Sequence, residues 1–310
     1  MRVLIGYDGS DSSRAAVAAA GALFPGAETT VVNVHPQPPA PETGAMARIA
    51  LPSDVIRTGA EELAQQTRER ASALAQEGAS DATQAQLRAT GTTAAGDRPW
   101  RVLLELARDA DVLVCGTHGR GVIGRTVLGS TASSLVHHAR VPLLVVPADA
   151  ARFDGAIMLG WDDSDGARAA LAFAAAHLRD RELIVAHGWR SPVRHTLRGS
   201  AMRDSPVTLL HDYAEGLDEV FRGVAEDTAE RGAEAARELG LHAQPRAAEA
   251  RGGDWHALLQ GARETGAVAV LVGTRGRGAV TATVLGSVAS SLVHAAALPV
   301  LVVPEPEVLP

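Results

Sequence analysis

The sequence predicts two successive α/β domains, residues 1–149 and 150–310, each a five-stranded parallel sheet in the order 3-2-1-4-5 flanked by helices. Three observations carry this reading. The chain has 310 residues, about twice a common domain length. It is written twice: Gly116-Thr117-His118-Gly119-Arg120-Gly121 recurs as Gly273-Thr274-Arg275-Gly276-Arg277-Gly278, and Pro142-Leu143-Leu144-Val145-Val146-Pro147 recurs as Pro299-Val300-Leu301-Val302-Val303-Pro304, both offset by 157. Near each start, Ile5-Gly6-Tyr7-Asp8-Gly9-Ser10 matches Leu159-Gly160-Trp161-Asp162-Asp163-Ser164, offset by 154. Finally, each copy alternates short apolar runs with long alanine-rich helical patterns, the signature of β-α units around a parallel sheet.

In the first copy, strands are expected near 2–7, 29–34, 84–88, 111–116 and 142–146, with helices near 12–22, 52–77, 98–109 and 129–139. Fully apolar runs such as Val112-Leu113-Val114-Cys115 suit strands covered on both faces. The proline-rich stretch from Pro36 to Pro52 reads as a long loop after the second strand, of the kind that often serves as a lid or binding loop. The joint between copies falls in 147–154, a short polar stretch. The second copy repeats the strands near 156–161, 182–187, 244–248, 267–273 and 299–303.

Composition narrows the function classes. All 29 basic residues are arginine and the chain contains no lysine. That excludes the P-loop lysine, the strand lysine of protein kinases and any Schiff-base lysine. The one cysteine, Cys115, excludes a disulfide framework, a C-x-x-C pair and a cysteine-rich zinc site, and it points to a reducing compartment. A net charge of −7 argues against duplex nucleic acid or an anionic membrane surface as partner. No apolar run approaches the roughly 18 residues of a membrane span, and no signal peptide opens the chain. A soluble, cytoplasmic protein is expected.

The sharpest constellation lies where the fourth strand of each copy gives way to the last helix. It has the form G-x2-G-x9-G-S: Gly116, Gly119, Gly129 and Ser130, then Gly273, Gly276, Gly286 and Ser287. Glycines at a strand end let a backbone turn and approach a ligand. A helix start beyond them offers N–H groups and a dipole to an anion. Such a cradle needs no lysine, and Arg120, Arg125 or Arg277 can add positive charge. A glycine turn with a serine N-cap accounts for the same residues without a ligand. The second feature is Asp8 with its copy Asp162, each just beyond the first strand. In an open parallel sheet, ligands bind past the strand carboxyl ends where the strand order reverses, which sets Asp8 beside the loop from Gly116 to Ser130. A carboxylate there suits ribose hydroxyls or a phosphate-bound magnesium ion. It equally suits an acidic N-cap of the first helix.

These residues carry a resemblance. Gly6-Tyr7-Asp8-Gly9-Ser10, the second strand Val31-Val32-Asn33-Val34-His35, the spaced glycines and the closing Pro142–Pro147 run resemble a universal stress protein. The likeness covers nearly all of both halves, as in the tandem members common in actinobacteria. It implies two Rossmann-like (HUP-type) domains and ATP, with Mg2+ as its companion, lying across the strand ends. The aspartates Asp8 and Asp162 would meet the ribose. Gly116, Gly119, Arg120, Gly129 and Ser130 would hold the phosphates in one half, and Gly273, Gly276, Arg277, Gly286 and Ser287 in the other. Backbone groups at Val34 and Gly188 would meet the adenine. The second copy departs at Gly188 for Val34, Arg275 for His118, Thr281 for Gly124 and Asp163 for Gly9.

Rival readings are weaker on the residues themselves. Gly119-x-Gly121-x-x-Gly124 spells a dinucleotide fingerprint, but it follows the fourth strand and no acidic residue lies about 20 positions on. Asp8 to Ser12 has the wrong residue order for an ATP pyrophosphatase loop. His137, His138 and His294 lack i,i+4 partners for a metal, and no G-x-S-x-G elbow exists. Neither glycine loop contains a carboxylate to act as base or water-positioning group. The reading is therefore an ATP-binding stress regulator with at most weak ATPase activity. A slow hydrolase and a nucleotide-free interaction protein are the alternatives. The apolar fifth strands are expected to pair with each other as an intrachain pseudo-dimer, which would cover two exposed edges. A further homodimer stays open.

Overall fold

The computed structural model describes residues 1–37, 53–119, 128–191, 207–250, 252–276 and 285–305, with 53–57 and 207–215 as helix backbone alone. The chain divides into two compact units, Met1–Asp149 and Ala150–Pro310.

In the first unit the elements run β1 (Arg2–Gly6), α1 (Asp11–Leu23), β2 (Glu28–His35), α2 (Ser53–Gln84), β3 (Arg88–Ala95), α3 (Pro99–Leu106), β4 (Val112–Gly116), α4 (Ser130–His138) and β5 (Leu143–Val146). The strand order is β3-β2-β1-β4-β5, every neighbour parallel. β1 therefore lies between β2 and β4, and the strand order reverses between β1 and β4 as expected. β4 and β5 are buried almost throughout, because helices cover both faces. Ile5, Leu113, Leu143 and Leu144 are essentially inaccessible and form the centre of this core. Serine starts the first helix: Ser10 is the N-cap of α1, and its Oγ accepts from the Ser13 N–H.

The second unit repeats the plan with β6 (Ile157–Gly160), α5 (Asp165–His177), β7 (Leu183–Trp189), α6 (Val207–Glu238), β8 (Ala243–Glu249), α7 (Asp254–Thr265), β9 (Ala269–Gly273), α8 (Ser287–Ala295) and β10 (Val300–Val303). β6 is flanked by β7 and β9, β8 pairs with β7, and β10 pairs with β9, all parallel. Ser164 caps α5 as Ser10 caps α1.

One element departs from the sequence reading. The third strand, expected at 84–88, occupies 88–95, and the helix expected to stop at 77 continues to Gln84. The reason is chemical. Ala79, Ala82 and their neighbours keep the helical pattern going, whereas Arg88-Ala89-Thr90-Gly91-Thr92-Thr93-Ala94-Ala95 is too small and polar to read as a buried run. It forms an outer strand of its unit, pairing only with β2 in that unit, with every residue exposed or part-exposed. The loop expected across Pro36–Pro52 falls mostly in 38–52, outside the described residues.

Candidate functional site

Each half gathers its aspartate and its loop glycines at the carboxyl ends of three adjacent strands. In the first half the backbone leaves β1 through Tyr7, whose N–H still donates to Val32 O at 2.9 Å, and turns at Gly9 with φ +73°. Asp8 is folded back over this turn: its Oδ1 accepts from Ser10 N at 3.0 Å and from Ser10 Oγ at 2.6 Å. The acidic N-cap considered from sequence is thus replaced. Ser10 caps the helix, and Asp8 holds Ser10. The other carboxylate oxygen faces the loop after β4, since a Cβ placed on Gly119 would lie 2.9 Å from Asp8 Oδ2.

The glycines divide by what presses on them. At Gly116 a Cβ would meet the Ser12 main chain at 2.7 Å, so this glycine lets β4 and α1 pack closely. Ser12 Oγ donates to His118 O, which ties the loop to the same helix. Gly129 N–H donates to Thr117 O at 2.8 Å and closes the loop on itself. Gly129 is also the N-cap of α4, with Ser130 the first helical residue and no side-chain cap bond. In place of the serine N-cap considered from sequence there is a glycine N-cap, which makes no side-chain cap bond. Val34 is the penultimate residue of β2, in register with Ala94.

The second half repeats the arrangement with altered surroundings. Asp162 Oδ1 accepts from Ser164 N at 3.1 Å. A Cβ on Gly276 would lie 2.5 Å from Asp162 Oδ2. Gly273 faces the backbone of Gly166, and Gly286 caps α8 without a side-chain bond, followed by Ser287. A cavity of about 750 Å³ opens here, bordered among others by Asp162, Gly188, Gly273, Gly276, Gly286 and Ser287. These six sequence-selected residues therefore share one concavity, of the size usual for small-molecule sites. Arg120, Arg125 and Arg277, with Gly121, Gly124, Gly278 and Thr281, lie outside the described residues.

Several lining residues were not singled out from the sequence. Trp161, at 3% exposure, forms part of the wall and donates its indole N–H to Asp163 at 3.1 Å. His187 Nδ1 lies 2.7 Å from Trp161 O, as Asn33 Nδ2 lies 2.7 Å from Tyr7 O in the first half. This side chain braces the end of the central strand in both copies. Asp163 sits at φ +61° where the first half has Gly9, and Arg231 meets its carboxylate at 2.8 Å. The negative charge that Asp163 adds in place of Gly9 is thereby balanced locally. Arg275 pairs with Glu305 at 3.2 Å. Asp254, the first residue of α7, pairs with Arg190 at 3.2 Å and also borders the cavity. The repeat could have exposed Asp254, because Trp255 copies Trp100 while the residue before it changes from Pro99 to Asp254.

The remaining candidates have structural surroundings. His138 Nδ1 lies 2.8 Å from Ser134 O, with its ring 4.9 Å from Trp100, and His294 Nδ1 lies 2.7 Å from Ser290 O. No group of three His, Cys, Asp or Glu residues suited to a metal occurs among the described residues. Among the same residues, no helix is long and apolar enough to cross a membrane. Burial pushes the Cys115 thiol up to about 12. It should stay protonated at neutral and mildly alkaline pH, so a thiol-reactive chromogen should label native protein very slowly and label fully only in denaturant. Labelling of the folded protein within minutes would contradict this.

Comparison with known proteins gives a consistent result. The profile of the Universal stress protein family matches residues 1–147 and again 155–304. A universal stress protein of Mycobacterium tuberculosis is 30% identical over 213 residues, covering 66% of this chain and 65% of the relative. One from Mycolicibacterium smegmatis is 32% identical over 211 residues, with the same coverages. Each match thus spans slightly under two thirds of the relative's own length. The crystal structure of a universal stress protein from Archaeoglobus fulgidus aligns with 98% of this chain and 98% of its own, with a TM-score of 0.62 at 18% identity, a likeness of fold.

Proposed function

The chain belongs to the universal stress protein family, and from that premise we propose that each half is a nucleotide site that holds ATP. The observation that carries this reading is one carboxylate set against one loop glycine, built twice: Asp8 with Gly119 and Asp162 with Gly276. A side chain on either glycine would fill the space beside the carboxylate. In this assignment Asp8 and Asp162 accept from the ribose hydroxyls. The loop backbone and the N–H groups opening α4 and α8 receive phosphate oxygens, with Ser130 and Ser287 as hydroxyl donors. Main-chain groups at Val34 and Gly188 meet the base. Arg120 and Arg277 are assigned to phosphate charge from the sequence. Where Mg2+ accompanies the nucleotide, Asp8 and Asp162 are the carboxylates of the motif that suit it.

The absence of lysine and of any loop carboxylate favours binding with little turnover, so occupancy of the sites would act as a regulatory signal in a stress response. The rival reading, slow ATP hydrolysis, needs arginine for charge stabilisation. The third, a nucleotide-free interaction protein, needs no ligand at all.

One experiment separates them. Purified protein is denatured and any released nucleotide is identified by mass, with its stoichiometry per chain. Equilibrium dialysis against ATP and magnesium is then run on protein stripped of nucleotide. Nucleotide recovered or taken up at one to two per chain supports the site assignment. No release and no uptake would remove the first two readings. Phosphate release that persists in the Gly119→Ala plus Gly276→Ala protein would trace to contamination.

A further inference from the structure

The two halves differ at one wall of the site, and the difference is a carboxylate. Asp254 opens α7 and borders the second-half cavity, whereas the matching position in the first half is Pro99, which opens α3. Either residue suits the first turn of a helix, proline through its fixed φ and aspartate through the dipole. The local fold therefore does not dictate the choice.

Asp254 is also held in place. Arg190 Nη2 lies 3.2 Å from its Oδ1, while Oδ2 has no partner among the described residues. The backbone of β7 makes room for it. A Cβ on Gly188 would lie 3.3 Å from Ala257 Cβ and 3.5 Å from Asp254 Cβ, so this end of β7 packs against the first turn of α7. The valine of the first half and its proline are thus both replaced at neighbouring positions of this wall, by Gly188 and Asp254.

Position along the sheet says which part of a ligand this carboxylate would meet. β7 and β9 flank β6 on opposite sides. The glycine loop leaves β9, Asp162 follows β6, and Gly188 with Asp254 lies on the β7 side. A nucleotide with phosphates on the loop and ribose at Asp162 brings its base to Asp254, among Gly160, Ala186 and Leu258.

We infer that the second half selects a guanine base. An ionised carboxylate only accepts hydrogen bonds. Guanine presents two adjacent donors on one edge, its ring N–H and its exocyclic amine, and can engage both acceptor directions. Adenine presents an amine beside a ring nitrogen lone pair, which a carboxylate repels. A site built to pair with N–H donors disfavours an analogue lacking them. The Arg190 contact engages one oxygen of Asp254 and leaves the second available to the ligand. The first half, with Pro99, has no such acceptor at this position.

The inference rests on the second half being a nucleotide site, as proposed above, and replaces ATP with GTP as its preferred occupant; the test separates the two. Full-length protein carrying Gly119→Val, which fills the space beside Asp8, is dialysed against GTP, ITP and ATP. The same is done with Asp254→Asn and Asp254→Pro added, after melting curves establish that each variant is folded. The expected result is about one GTP per chain bound roughly tenfold or more tighter than ATP, with ITP between them because it retains only the ring N–H. Each of the two Asp254 substitutions should erase that preference. ATP bound as tightly as GTP, or a GTP preference that survives both substitutions, would overturn the inference while leaving a nucleotide site in place. Failure of the unsubstituted chain to bind any of the three would overturn both readings.

Discussion

Replacing Gly273 with alanine should destabilise the second unit by about 3 kcal/mol or more, whereas replacing Gly276, three residues on, should leave stability nearly unchanged and remove ligand binding. Both are motif glycines, and the sequence offers no way to tell them apart. The surroundings do. A Cβ on Gly273 would meet Gly166 Cα at 2.6 Å and the Gly166 carbonyl group closer still. Gly166 lies in the first turn of α5, and a Cβ on it would in turn press against the carbonyl of Arg275. Backbone meets backbone here, so relief requires moving a helix against the central strands. For a unit of this size the loss corresponds to a melting shift of roughly 6–12 °C.

At Gly276 the opposing atom is Asp162 Oδ2, 2.5 Å from the built Cβ. It is the end of a side chain, which can rotate away. The fold survives, but the carboxylate and the loop no longer share the space that a ribose and phosphate would occupy. Affinity in this half should fall about a hundredfold or more, close to 3 kcal/mol. Calorimetry combined with equilibrium dialysis reads both effects. Equal melting shifts for the two variants would refute the division of the motif into packing and site glycines.

How much of this was legible follows from the chemistry of each element. The duplication, the parallel strands and their order within each unit announced themselves because buried parallel strands must be apolar along their whole length, as Val112–Cys115 and Val300–Val303 are. β3 was misplaced because an outer strand can be built from alanine, threonine and arginine, and its identity lies in pairing with β2. Asp8, Asp162 and the glycine spacing were legible because glycine marks close approach. What opposes each glycine was not, since Ser12, Gly166 and the two carboxylates come from distant positions. The lower wall of the second site was hidden for a similar reason. Trp161, His187 and Asp254 look like an ordinary core residue, a strand end and a first-turn acid until the sheet brings them to one cavity.

The second large effect concerns a position that no motif marks. Gly232 lies within α6, directly over the Trp161 ring, and a Cβ there would meet Cγ and Cδ1 at 2.6 Å. Gly78 of α2 bears the same relation to Tyr7, at 2.7 and 2.8 Å. In each half a long helix thus rests a glycine on the aromatic residue that immediately precedes the site aspartate.

Two opposing terms decide the outcome of Gly232→Ala. Alanine in a helix interior gains about 1 kcal/mol over glycine through propensity. Overpacking a ring that is 3% exposed costs about 1–3 kcal/mol, and the contact at 2.6 Å places this case at the upper end. Net destabilisation of about 2 kcal/mol is expected. Gly223 of the same helix supplies the control, because nothing lies within 4 Å of its built Cβ. Gly223→Ala should therefore stabilise by about 0.5–1 kcal/mol.

The displaced ring has a second consequence. The main-chain N–H of Trp161 is bonded to Ala186 O at 2.9 Å and its carbonyl to His187, so moving the indole strains the backbone that presents Asp162. Gly232→Ala should weaken nucleotide binding about tenfold, although the substitution lies on a helix whose described residues do not border the cavity. Combining it with Trp161→Leu, which vacates ring volume, should recover about 1–2 kcal/mol of the cost as a coupling energy. If Gly232→Ala stabilised the protein as Gly223→Ala does, Trp161 would not be held against α6. The floor of the second site would then be set by the sheet alone.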